Sequence, residues 1–203
     1  MLPVAVLVSG SGSNLQALLD ASRSDRDFGA RIVVVISDRP GVAALDRATT
    51  AGVPAEVVAW KDFDDRQGFS IAVCDTAQRH GAEALLLAGF MRILSPAAVD
   101  RFPNRIINIH PALLPAFPGA HAVPAALAHG VKVSGVTVHF VDDEVDHGPI
   151  IAQRSVPVEA GDTEETLHAR IQSEEHRLFP LVVKAFAAGR LQVEGRRVIW
   201  EES

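Results

Sequence analysis

Pro3-Val4-Ala5-Val6-Leu7-Val8-Ser9-Gly10-Ser11-Gly12-Ser13-Asn14-Leu15 is the stretch on which the fold turns. A Val-rich apolar run meets two glycines, after which Leu15, Leu18 and Leu19 recur at the spacing of one helix face. A continuous apolar run of this length describes a strand buried on both faces, and the leucine spacing describes an amphipathic helix. Strand, tight loop and helix in that order open a βαβ unit. The pattern recurs along the first half: strands are expected over 31–37, 55–58 and 83–88, with helices over 42–51 and 66–80 between them. Alternation of this kind builds a parallel sheet covered by helices.

After Gly89 the pattern changes. Residues 105–109 read as a further strand, and then Pro111, Pro115, Pro118, Gly119 and Pro124 crowd into a short stretch. So many fixed φ angles predict an extended, rigid loop rather than a helix or a central strand. Residues 133–141 and 149–158 read as neighbouring strands. Residues 163–188 read as one long helix, capped by Thr163 and kinked or split at Pro180. A hairpin over 191–193 and 198–200, turning at Glu194-Gly195, closes the chain. The expected class is α/β: an open, mostly parallel twisted sheet with helices on both faces, Rossmann-like, ending in a C-terminal β-hairpin. No Gly/Ser-rich linker, repeat or low-complexity segment interrupts it, so 1–203 is expected to form one domain.

Composition narrows the function classes. Of the 203 residues 48% are hydrophobic and 22% charged, the balance of an ordinary globular chain. The formal charge is −6 and the basic residues form no long run, which argues against a nucleic-acid partner and for small-molecule substrates. The lone Cys74, in the apolar stretch 70–74, reads as a buried small hydrophobe rather than a catalytic thiol. The opening lacks the basic n-region of a signal peptide and no apolar run approaches the ~20 residues of a membrane span, so a cytoplasmic chain with no membrane partner is expected.

Three motifs carry chemistry. Ser9-Gly10-Ser11-Gly12-Ser13-Asn14 sits between a buried strand and a helix start, where backbone N–H groups and the helix dipole suit an anion. The dinucleotide fingerprint fails at its third glycine, which is Leu15, and no Gly-Lys-Ser/Thr makes a P-loop. A monophosphate cradle is preferred over a plain βα turn in which Ser13 or Asn14 merely caps the helix. Second, Asn108 and His110 share one face at the carboxyl end of a strand, where open α/β sheets bind ligands. Together they could hold an oxyanion and move a proton, although such a pair also occurs as a plain hydrogen-bonded pair. Third, Val141-Asp142-Asp143-Glu144-Val145-Asp146-His147-Gly148-Pro149 is an acidic loop. Its carboxylates are read as solvated turn residues apart from Asp146, which the adjoining Gly148-Pro149 turn would hold rigidly. The flanking His139 and His147 do not complete a zinc motif, and no metal is expected. Ser13, His110 and Asp146 would formally complete a hydrolase triad, but no Gly-x-Ser-x-Gly elbow accompanies them.

In this order the motifs resemble the folate-dependent formyltransferases, closest to the branch that formylates glycinamide ribonucleotide in purine biosynthesis. The resemblance is carried by Ser9–Leu15, by Leu87-Ala88-Gly89-Phe90-Met91-Arg92-Ile93-Leu94, by Ile107-Asn108-Ile109-His110-Pro111 through Pro115, by Asp146-His147-Gly148-Pro149-Ile150 and by Gln172-Ser173-Glu174-Glu175-His176. It implies Asn108, His110 and Asp146 as the catalytic trio, Gly12, Ser13 and Asn14 on the substrate phosphate, and Glu175 on its ribose. It implies a folate pocket from Met91, Arg92, Ile93, Leu94, Val141, Asp142, Asp143, Glu144 and Asp146, with Arg66 pairing the glutamate tail. The co-substrate implied is 10-formyltetrahydrofolate, with phosphate binding in about 1–100, catalytic and folate loops in about 101–203, and a monomer or homodimer. Two departures stand out: His147 where relatives often carry Gly or Thr, and Pro124 where many carry a basic or polar residue. The rivals are a formyltetrahydrofolate deformylase-like hydrolase, a methionyl-tRNA formyltransferase and a non-catalytic nucleotide-binding module. The tRNA enzyme carries an added C-terminal domain and the deformylase an N-terminal regulatory one, and neither is expected here.

Overall fold

The computed structural model describes residues 1–201. Its elements run β1 (Leu2–Val8), α1 (Ser13–Ser24), β2 (Ala30–Ser37), α2 (Ala43–Thr50), β3 (Ala55–Val57), α3 (Arg66–Arg79), β4 (Ala84–Leu87), α4 (Pro96–Val99), β5 (Ile106–His110), α5 (Ala122–His129), β6 (Val133–Phe140), β7 (Ile150–Pro157), α6 (Glu164–Ala187), β8 (Leu191–Glu194) and β9 (Arg197–Trp200). One nine-stranded sheet has the order β3-β2-β1-β4-β5-β6-β7-β9-β8. From β3 to β5 every neighbour is parallel. Beyond β5 the pairing changes direction: β6 pairs antiparallel with β5 and β7 with β6, and the β8–β9 hairpin joins through a single parallel pair, Ile150 with Arg197.

Period-two alternation divides the core. Val4, Val6 and Val8 of β1 pack on the side that also buries Leu15, Leu18, Ile171 and Phe179, while Ala5 and Leu7 face Phe69, Val73 and Cys74 of α3. Both sides are dry, which is why the strands read as unbroken apolar runs. In β5 the same rule sends Ile107 and Ile109 to the α6 side and Ile106 to the α3 side. Asn108 and His110 therefore share the Ile106 face. The chain runs outward from β1 to β3 and returns to β4 at the other flank of β1, so the carboxyl ends of β1 and β4 border the crevice where such sheets take ligands.

Three expectations need correction, and one alternative that was passed over, a side-chain cap on α1, does not form. The proline-rich stretch does not stay extended: α5 includes Pro124 as its third residue, where a helix N–H has no internal partner to lose. Helix α6 is not split at Pro180. It runs as one element, with Phe179, Val182 and Val183 fully buried around the proline, and that packing outweighs the ~3 kcal/mol an internal proline costs. The cap of α1 is Gly12 in the left-handed region (φ 72°), with no side-chain cap from Ser13 or Asn14. In the hairpin, Glu194 still pairs with Arg197, so the turn falls on Gly195-Arg196. Two short pieces, α4 and a 3-10 turn at Trp60–Asp62, were not expected. Among the described residues no helix is long and apolar enough to cross a membrane.

Candidate active site

Asn108 and His110 reach the crevice from the last turn of pleat in β5, and Asp146 comes to meet them from the loop between β6 and β7. His110 Nδ1 lies 3.2 Å from Asp146 Oδ2, and Asn108 Nδ2 donates to Asp146 Oδ1 at 3.2 Å. The Gly119 N–H, from the proline-rich loop, donates to Asp146 Oδ2 at 2.7 Å. The other ring nitrogen of His110, Nε2, donates to the Phe117 carbonyl at 2.8 Å. Both ring nitrogens thus face oxygen acceptors, and only a ring carrying both protons donates to the two at once.

Asp146 is built into this position by its own loop. Its φ of 51° is left-handed, a costly conformation for a residue with a Cβ, and Phe117 opposite it has φ 54°. Gly148 makes the loop possible, since a Cβ there would collide with the Phe140 carbonyl oxygen at the end of β6. The Asp146 side chain is only 12% exposed. Burial pushes its carboxyl up, but the contacts with His139 and the Gly119 N–H and the charge of His110 outweigh it and hold the group below the usual carboxylate range.

One site neighbour had no role in the sequence analysis beyond a rejected metal motif. His139 of β6 sits opposite Asn108 in the antiparallel register, with Nε2 3.1 Å from Asn108 Nδ2 and 3.6 Å from Asp146 Oδ1. Its Nδ1 donates to the Phe140 carbonyl at 2.7 Å. The signal was present in the alternation of β6, where Thr137 and His139 are the polar positions between Val136, Val138 and Phe140. Thr137 has its own task, donating to the Ala112 carbonyl at 2.7 Å and accepting from the Leu114 N–H at 3.0 Å, which ties down the proline-rich loop.

Beside this cluster opens a cleft walled by Phe90, Met91, Ile93, Leu94, Val141 and Val145, with Asn108, His110 and Asp146 among its lining. Met91 and Ile93 are 58% and 48% exposed, an unusual display of apolar surface that a flat, partly apolar ring would cover. The Met91 N–H is held by Ser9 Oγ at 2.8 Å. Arg92 turns its guanidinium to the buried Asp38 (2.7 Å) and over the Trp60 ring (5.0 Å), which fixes the loop after β4. Burial raises the Asp38 carboxyl, yet hydrogen bonds from Arg39, Ser9 and Arg92 leave it lowered overall. Of the residues expected around folate, Asp142 and Glu144 line the cleft. Arg66 and Asp143 do not: Arg66 is the exposed first residue of α3, and Asp143 is exposed on the acidic loop. His147 turns outward, its Nδ1 2.8 Å from Asp142 Oδ2, and Arg196 of the hairpin turn donates to its carbonyl.

Across the crevice lies the glycine-serine loop. Gly12 packs so tightly against α2 that a Cβ would come within 2.7 Å of the Ala44 Cβ. Ser13 Oγ accepts from Gln172 at 2.8 Å. Asn14 is buried, donating from Nδ2 to Glu175 Oε2 at 2.9 Å, while its Oδ1 has no hydrogen-bond partner among the described residues. Glu175 is itself buried. Desolvation pushes its carboxyl up, only partly opposed by the Asn14 hydrogen bond and the charges of His168 and His110.

Residues 2–183 match the family described as formyl transferase. The chain belongs to the formyl transferase family. This formyltransferase is 48% identical over 193 residues to the phosphoribosylglycinamide formyltransferase of Mycobacterium tuberculosis (strain CDC 1551 / Oshkosh), an alignment covering 95% of this chain and 88% of the relative. It superposes on the crystal structure of glycinamide ribonucleotide transformylase 1 from Symbiobacterium toebii with a TM-score of 0.97 at 50% identity, covering all of this chain and 95% of that one. It is also 46% identical to the trifunctional purine biosynthetic protein adenosine-3 of Gallus gallus over 98% of its own length, but spans only 20% of that longer protein. The resemblance drawn from the motifs is borne out, as is the α/β fold with its C-terminal hairpin.

Proposed function

We propose that this formyltransferase moves the formyl group of 10-formyltetrahydrofolate to the amine of glycinamide ribonucleotide, yielding formylglycinamide ribonucleotide and tetrahydrofolate in de novo purine biosynthesis. The observation that carries this assignment is convergence: the Asn108–His110–Asp146 cluster joins the apolar cleft at the ends of β4 and β5, and the glycine-serine loop opens at the same sheet edge from the end of β1, the strand on the other side of β4. Its likeness to relatives named for that activity supports it further.

Gly12, Ser13 and Asn14 hold the substrate phosphate, with backbone N–H groups and the start of α1 supplying the positive end. Glu175, steadied by Asn14, takes the ribose hydroxyls. The Met91–Leu94 segment and the loop 141–146 enclose the folate ring, and Arg66 meets the glutamate tail from outside the cleft. The amine attacks the formyl carbon, and negative charge grows on the formyl oxygen. Asn108 and His110 donate to it. Both amide hydrogens of Asn108 face Asp146 and His139, and His110 Nε2 faces Phe117, so donation to the oxyanion exchanges one of these contacts at each residue. Asp146 holds His110 in register and balances its charge, and the proton lost by the attacking amine ends on N10 of the leaving folate. None of these steps calls on a metal. We place the protein in the cytoplasm, working on soluble substrates as one functional unit, as a monomer or homodimer.

The test is to mix the protein with 10-formyltetrahydrofolate and follow folate absorbance with and without glycinamide ribonucleotide. Turnover that requires the amine is expected. Turnover without it would reassign the chain as a hydrolase, and no response to folate would leave a nucleotide-binding module.

A further inference from the structure

The glycine-serine loop is gripped from one side by α2. Arg47, on that helix, donates from Nε to the Ser11 carbonyl at 2.8 Å and from Nη1 to Gln16 Oε1 at 3.1 Å, so one guanidinium ties α2 to both the loop and α1. The Ala44 N–H donates to the Gly10 carbonyl at 3.2 Å, and the Ala44 side chain abuts Gly12. Two successive carbonyls, those of Gly10 and Ser11, are thereby turned toward α2.

In a trans peptide the carbonyl and the N–H of the next residue point in opposite directions. The one cis bond among the described residues is Leu114-Pro115, far from this loop. Fixing the Gly10 and Ser11 carbonyls toward α2 therefore aims the Ser11 and Gly12 N–H groups away from it. Among the described residues no protein group accepts from either N–H. Neighbouring N–H groups directed to one side form a concavity suited to an anion. The buried Asn14 Oδ1, an acceptor with no partner among the described residues, suits a hydroxyl of the same nucleotide rather than its phosphate.

We propose that Arg47 is a positioning residue for phosphate binding: by holding the Ser11 carbonyl it aims the Gly12 N–H at the 5′-phosphate of the nucleotide substrate, without contacting that phosphate. This rests on the phosphate-binding role assigned to the loop above.

A direct electrostatic role for the guanidinium is the competing explanation, and side-chain length separates the two. Glutamine carries an N–H donor the same number of bonds from Cα as the arginine Nε, without the charge. Arg47→Gln keeps the Ser11 contact, whereas Arg47→Met removes it. The expected result is a KM for glycinamide ribonucleotide raised about tenfold in Arg47→Met, on the order of one lost hydrogen bond. In the same variant kcat and the KM for 10-formyltetrahydrofolate stay at the parent values, and Arg47→Gln stays within about twofold of the parent throughout. An unchanged KM in Arg47→Met overturns the proposal. So does an Arg47→Gln as impaired as Arg47→Met, since charge and not the donor would then matter. Titration of the three proteins with ribose 5-phosphate, followed by amide NMR, separates this from failure of the enzymatic assignment. If the parent does not formylate the amine yet binds ribose 5-phosphate with the same order of affinities, the positioning role stands and the reaction is wrong. If the parent does not bind ribose 5-phosphate, the positioning role falls.

Discussion

Asn108 spends both amide hydrogens on neighbours, one toward Asp146 and one toward His139, although the strand end leaves it room to face the cleft. If one of those hydrogens passes to the oxyanion, Asn108→Ala lowers kcat by about 10²–10³ with thermal unfolding close to that of the parent, the loss seen when a single oxyanion donor is removed. A kcat within a few-fold of the parent would take Asn108 out of the reaction. Glu175 gives a residue-level prediction of the opposite kind. Burial raises its carboxyl above the ordinary range, so ionising it costs folded-state stability as pH climbs from the unfolded carboxylate value through the raised folded one. Glu175→Gln escapes that cost: it should be more stable than the parent at pH 7, the difference vanishing below about pH 4 where both side chains are neutral. Denaturant midpoints at the two pH values check this, and a gap of equal size at both would place the effect in packing alone. Legibility at this scale followed chain position. Asn108 and His110 were visible because a buried strand should not end in polar residues without a use, and Asp146 because Gly148-Pro149 marks a fixed turn. Arg47 was not, because its contact with Ser11 spans 36 positions and exists only once α2 has packed.

At the level of elements, the loop between β6 and β7 shows how a backbone constraint delivers a side chain. Gly148 sits against the Phe140 carbonyl where no Cβ fits, and the left-handed Asp146 follows from the path that this closeness imposes. Gly148→Ala should push the loop off β6 and carry Asp146 out of reach of His110. Its kcat should fall at least tenfold, beyond what a destabilisation of about 1–3 kcal/mol explains in a protein still folded at the assay temperature. A folded Gly148→Ala with parent kcat would show that the loop is free to relax without moving its carboxylate. Strands buried on both faces were legible because nothing else in a chain of this composition is apolar for so long without a break. The short helix α5 was hidden by prolines, which do not oppose a first turn, and α6 appeared broken by a proline whose cost the surrounding Phe179, Val182 and Val183 absorb.

For the molecule as a whole, the parallel strands were legible from the recurring βα pattern, whereas the switch to antiparallel pairing at β5 was not, since an apolar run has the same composition whichever way its neighbour points. Cys74 adds a test of the interior: packed against the Ala98 carbonyl and with its thiol pushed up to about 11 by burial, it should react with a thiol reagent only as fast as the chain unfolds. Rapid labelling of the native protein would show that the α3 side opens locally. The seam at β5 has a consequence in time. The β1–β2, β5–β6–β7 and β8–β9 pairings join segments near in sequence, while β1 waits for β4 across the whole of α1, β2, α2, β3 and α3. Contacts that close short loops form early and those that close long ones form late. Asn108 and Asp146, 38 positions apart, meet within the early part, but Ser13 and Asn14 wait for Gln172 and Glu175, 159 and 161 positions on. During refolding the chain should therefore pass through an interval in which it has assembled its chemistry and has no means yet of gripping a nucleotide, so competence to bind returns last.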